Sequence, residues 1–93
     1  MVSVVAMAGP SARTIRILLF AGLREQAGWA EQHWQADPER DAALTPRELW
    51  LHLKLPGDFD RRVRVAINQQ FADADTPLQP GDELAFLPPI SGG

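Results

Sequence analysis

Apolar positions recur along "TIRILLFA", Thr14 to Ala21, with Ile15, Ile17 and Leu19 on one face and Thr14, Arg16, Leu18 and Phe20 on the other. Such spacing predicts a strand whose two faces both carry apolar residues. "GLREQAG", Gly22 to Gly28, leaves room for two helical turns between glycines, with Leu23 and Ala27 one turn apart. "WAEQHWQA", Trp29 to Ala36, reads as a second strand with poor alternation, since Trp29 and Trp34 fall on opposite faces. A charged loop, Asp37 to Leu44, then meets Thr45-Pro46-Arg47-Glu48. Threonine three residues before glutamate, with proline at the first helical position, is a capping box, so a helix starts at Thr45 and Pro56-Gly57 ends it. Leu49, Trp50 and Leu53 give that helix an apolar stripe, widened by Leu51 and Leu55, as expected of a helix lying across a sheet.

After the polar stretch Asp58 to Arg62, "VRVAIN" sets Val63, Val65 and Ile67 on one face and Arg64, Ala66 and Asn68 on the other, the pattern of a half-buried strand. Asn68-Gln69-Gln70 reads as a tight reversal into a brief strand at Phe71-Ala72, and Pro80-Gly81-Asp82 as a sharp turn before the last strand. In that strand Leu84 and Phe86 share one face and Ala85 and Leu87 the other. Pro88 and Pro89 lack the N–H that would continue the ladder, so the strand stops there. The order strand, short helix, strand, helix, strand, short strand, strand predicts an α+β domain of the ubiquitin-like β-grasp type, a mixed sheet with one main helix packed across it. The chain divides into an N-terminal extension at 1–13, the β-grasp domain at 14–88 and a C-terminal Gly-Gly tail at 89–93.

Composition narrows the partners. A net charge of -3, with nine basic residues that are scattered, favours neither nucleic acid nor an anionic membrane. The absence of cysteine excludes a disulfide, a thiolate nucleophile and a Cys-based metal site, and fits a reducing cytosol. A cytoplasmic location is expected, since Met1 to Pro10 lacks the basic start of a signal peptide and no run approaches the roughly 18 apolar residues of a membrane helix.

"IRILLFAGLREQAG", "VAINQQFADADTPLQPGDELAFLPPISGG" and the closing Gly92-Gly93 together resemble the small subunits of molybdopterin synthase, which are ubiquitin-like sulfur carriers. The likeness runs in outline from Thr14 to Gly93; Trp29 to Arg62 carries little of it. It implies that the Gly93 carboxylate is adenylated by an ATP-using, ubiquitin-activating-like enzyme and converted to a thiocarboxylate, with Gly92 part of the reactive tail. It further implies sulfur delivery to a cyclic pyranopterin inside a large partner subunit, in a heterotetramer, with no cofactor bound by the carrier itself. The family's catalytic lysine belongs to the large subunit, so no such role passes to Lys54, the only lysine here.

The chemistry of the ending is consistent with that role. A carboxylate becomes an acyl donor only after activation, and a thiocarboxylate sulfur then stands in for a cysteine thiolate. Glycines at 92 and 93 let an active-site wall approach the backbone closely. Pro88 and Pro89 hold φ near -65° and stiffen the exit from the sheet, and Ile90 offers an apolar anchor. Leu18, Phe20 and Leu87 share the outward parity of Arg16 and form a candidate partner surface, with Phe71 a fourth member whose facing so short a strand leaves open. His33 and His52 lack ligand spacing and read as solvated; Asp73 and Asp75 read as turn caps; Trp29, Trp34 and Trp50 read as packing residues. Carriers for thiamine or cysteine synthesis, a ubiquitin-like modifier joined to lysines, and a plain interaction domain are the alternatives, the Pro-Pro ending favouring the molybdopterin type.

Overall fold

The first strand, β1 (Thr14–Leu19), lies second in a five-stranded sheet, and the strand order follows from how the chain returns to it. A computed structural model describes residues 14–37, 43–60 and 62–88. In chain order the elements are β1, α1 (Ala21–Ala27), β2 (Glu31–Gln35), α2 (Pro46–His52), β3 (Arg64–Ile67), β4 (Gln70–Ala72) and β5 (Glu83–Leu87). The sheet runs β2-β1-β5-β3-β4. β5 pairs parallel with β1 and antiparallel with β3, so it occupies the centre, and the architecture is the mixed-sheet β-grasp that the element order predicts.

Local chemistry explains the helix ends. Gly28 closes α1 at φ 85°, a left-handed conformation that lets its amide donate to the Arg24 carbonyl at 3.0 Å and that a side chain would strain. Thr45 and Glu48 make the reciprocal capping box at the start of α2, Thr45 Oγ1 accepting from the Glu48 amide at 3.2 Å and Glu48 Oε1 from the Thr45 amide at 3.3 Å.

The end of α2 departs from the expectation. The helix stops at His52, four residues before Pro56, because Lys54 turns left-handed (φ 55°) and the amides of Lys54 and Leu55 donate back to the carbonyls of Leu51 and Trp50. This is a Schellman-type ending that tucks Leu55 into the core. The short helix also ends the assignment of Leu51 to the apolar stripe: Leu51 is 70% exposed while Leu49 and Trp50 are buried. At seven residues each, neither helix is the longer.

The core fills one side of the sheet. Ile15, Ile17 and Leu19 of β1, Leu84 and Phe86 of β5 and Val65 of β3 pack with Leu23 of α1 and Leu49 and Trp50 of α2. Trp50 meets Phe86 edge to face at 5.3 Å between ring centroids and donates its indole N–H to the Gly57 carbonyl at 3.1 Å. Two loop leucines complete it. Leu44 and Leu78 are buried, and the Leu78 amide donates to the Leu44 carbonyl at 2.7 Å, so the stretches that read as charged or turn-rich loop each contribute a core residue. Among the described residues no helix is long and apolar enough to cross a membrane.

Candidate functional site

β5 carries the chain to its end, and its neighbours determine what surrounds the point of exit. Parallel pairing with β1 runs from Arg16↔Glu83 to Leu19↔Phe86, so both strands finish at the same edge of the sheet. Antiparallel pairing with β3 sets Arg64, the first residue of β3, opposite Leu87, the last of β5. β4 ends at this edge too, because Val65 faces Ala72 across the ladder. Phe20, Arg64 and Leu87 therefore surround the place where Pro88 leaves the sheet.

The face turned away from the helices carries the apolar residues at this edge. Successive pairings place Leu18, Ala85, Ala66 and Phe71 in one row across four strands. Phe20 continues the extended backbone of β1 (φ -123°, ψ 153°) and keeps the parity of Leu18. Phe20 is 43% exposed and Phe71 69%, while Leu18 and Leu87 are half-buried. Ala85 lies at the centre of the row and is only 6% exposed, although it stands outside the core cluster. The larger side chains Leu18, Phe20, Phe71 and Leu87 thus stand around the two alanines at the end of the face where β5 exits.

The opposite end of the same face is charged and internally paired. Arg16 donates to Glu31 at 2.8 Å and lies 3.6 Å from Glu83, and Glu31 also stands 3.6 Å from His33. The hydrogen bond and charge of Glu31 raise the Arg16 pKa further, so this guanidinium stays protonated. At the exit end Arg64 lies over the Phe71 ring, 4.9 Å from its centroid, a diagonal cross-strand contact. An open hollow of about 650 Å³ flanks this pair, lined in part by Val63, Phe59, Asp60 and Asp73.

The structure brings together Leu18, Phe20, Phe71 and Leu87, and it resolves the facing of Phe71 as outward, opposite Ala66. Ile90, Gly92 and Gly93 lie outside the described residues, as does the extension at 1–13. His33 and His52 are exposed, His52 stacking on Trp34 with ring centroids 5.4 Å apart. Asp73 caps its turn, Oδ1 accepting from the Asp75 amide at 2.9 Å. Asp75 is not a cap, contrary to the expectation: it supplies the capped amide, while Arg47 of α2 donates to its two carboxylate oxygens at 2.8 and 3.2 Å, and that hydrogen bonding holds the Asp75 pKa below the usual carboxylate value. Arg64, Ala66 and Ala85 also belong to this face, beyond the residues expected from sequence. Strand parity already put all three outward, but their place beside Leu87 and Leu18 depends on the sheet order.

The ThiS family model matches residues 17–93. The molybdopterin synthase sulfur carrier subunit of Escherichia coli (strain K12) is 34% identical over 85 residues, an alignment that spans 85% of this chain and 99% of that protein. Among solved structures, SAMP1 from Haloferax volcanii is similar with a TM-score of 0.68 at 27% identity, covering 86% of this chain and 99% of that one. A chain from the complex of subunits 1 and 2 of molybdopterin-converting factor from Helicobacter pylori 26695 shares the fold, with a TM-score of 0.55 at 22% identity over 86% of this chain and 99% of that one.

Proposed function

Because the chain belongs to the ThiS family, we propose that it is a sulfur carrier for molybdopterin biosynthesis and acts as the small subunit of molybdopterin synthase. The observation that carries this reading is the extent of the likeness to the Escherichia coli subunit, which is matched along 99% of its length. In the proposed cycle the Gly93 carboxylate displaces pyrophosphate from ATP on an adenylating enzyme, and a sulfur nucleophile then displaces AMP to leave a thiocarboxylate. The sulfur passes to a cyclic pyranopterin precursor in the large subunit, and the terminus returns to a carboxylate. A dithiolene needs two sulfurs, which accounts for an assembly with two of each subunit.

The fold supports the division of labour. The apolar end of the outer face, with Leu18, Phe20, Phe71 and Leu87, surrounds the exit of β5, so a partner seated there lies beside the start of the tail. Two consecutive prolines, Pro88 and Pro89, leave the chain few accessible conformations, which lowers the entropy lost when the tail enters a channel. Ile90 and Gly92 then serve as anchor and slender approach to Gly93.

Deleting Gly93, or adding one residue after it, tests the reading. Both variants are expected to melt like the parent, because the tail stands beyond the last strand, and to lose sulfur transfer entirely in a synthase reconstituted with the adenylating enzyme, ATP and a sulfur source. Undiminished transfer by either variant would overturn it.

A further inference from the structure

Two arginines project from the outer face, and they differ in one respect. Arg16 is neutralised within this chain by Glu31 at 2.8 Å and Glu83 at 3.6 Å. Arg64, at the exit end, has no carboxylate partner among the described residues; its contact is the Phe71 ring. Asp73 shares the hollow beside it but turns Oδ1 to the Asp75 amide, and Asp60 is engaged by Arg62. A guanidinium resting on an aromatic ring loses little further freedom when it binds, and its planar fork matches a carboxylate with two parallel hydrogen bonds.

We infer that Arg64, positioned by Phe71 and set opposite Leu87, is a specificity contact that takes a carboxylate of the large subunit at the rim of the proposed interface. This rests on the reading of the chain as that subunit's carrier partner. The location supports it in two ways. Arg64 stands opposite Leu87 beside the apolar row, so docking on Leu18, Ala85 and Leu87 would partly desolvate the guanidinium, and an uncompensated charge there would oppose binding. Among charged groups on the outer face, the paired Arg16 cluster offers an incoming acid no equivalent site. The partner chemistry that fits is an Asp or Glu on the rim of an otherwise apolar surface.

The test is calorimetric titration of the full chain against the purified large subunit from the same cell, at low and at high salt. Arg64→Ala is expected to weaken binding about tenfold and Arg64→Glu about a hundredfold at low salt, with both gaps narrowing at high salt. Arg64→Lys should recover part of the loss, since charge is kept while the fork is not. Melting temperatures should match the parent, which separates a contact from a folding defect. Equal affinities for the parent, Arg64→Ala and Arg64→Glu would overturn the inference and leave the carrier reading standing. A loss confined to adenylation would overturn it too, assigning Arg64 to the other partner. Failure of the unaltered chain to bind the large subunit would remove the carrier reading itself, and the inference with it.

Discussion

The two faces of β5 use the same kinds of residue to opposite ends. On the inner face Leu84 and Phe86 are fully buried against α1 and α2, together with Ile17 and Leu19 of β1. On the outer face Leu18 and Leu87 stand half-buried, and Phe20 and Phe71 are exposed. Side chains of similar size, one residue apart, therefore do different work: those inside stabilise the sheet, and those outside remain available for a partner. Alternation along a strand is the physical reason, because each apolar run of period two has a second face that the helices do not cover. An exposed apolar group costs the free chain little, and an exposed cluster at one edge of a sheet is the kind of surface proposed above to meet a partner.

Neighbouring leucines give the strongest way to break this contrast. Leu19→Ala should cost about 2 to 5 kcal/mol of folding stability, because it leaves a cavity between β1 and the helices, and should leave large-subunit affinity unchanged under conditions where the variant is folded. Leu18→Ala should cost well under half as much stability while weakening binding. Chemical denaturation and calorimetry on the pair would separate them, and equal destabilisation would mean that both faces are core.

The next largest effect is expected from charge placed on the outer face. Phe20→Asp and Leu87→Asp should each weaken binding to the large subunit by about 2 to 4 kcal/mol, since docking would bury a carboxylate in an apolar contact. Little change in melting temperature should accompany it. Unfolding in step with lost affinity would place these side chains in the core and contradict their half-buried and exposed positions.

Smaller effects sharpen the inner side of the comparison. Thr45→Ala removes half of the capping box and should lower stability by about 1 kcal/mol without touching binding, because α2 packs on the inner face of the sheet. The smallest concerns Asp75. Its folded pKa is depressed by Arg47, so the stabilisation it contributes is present above the ordinary carboxylate value and is lost as pH falls through the depressed one. Asp75→Asn should therefore flatten slightly the acid side of a stability profile measured against pH. An unchanged profile would mean that this exposed pair is screened by solvent.

Much of this is legible in the sequence. The parity of "TIRILLFA" and "ELAFLPP" assigns Ile17 and Phe86 to one face and Leu18 and Leu87 to the other, since strand periodicity is local. Thr45-Pro46-Arg47-Glu48 specified the start of α2 by its capping chemistry, but the end at His52 depends on Lys54 adopting a left-handed conformation, rewarded by the hydrogen bonds to Leu51 and Trp50 and by the burial of Leu55. Leu44 and Leu78 read as loop residues because their partners are distant in sequence. Arg64 was visible as an outward arginine. Its meeting with Phe71 required the antiparallel register of β3 and β4, and its lack of a carboxylate partner among the described residues required the arrangement of the surface.

The central claim is that Gly93 carries sulfur, and intact mass spectrometry of the protein from its own cell tests it most directly. Loading with the adenylating enzyme, ATP and a sulfur source should replace one oxygen by sulfur at the terminus, and addition of the large subunit with the pyranopterin precursor should restore the original mass. Abundant isopeptide conjugates ending in Ser91-Gly92-Gly93, with no sulfur exchange and no product, would contradict the account and make this chain a protein modifier.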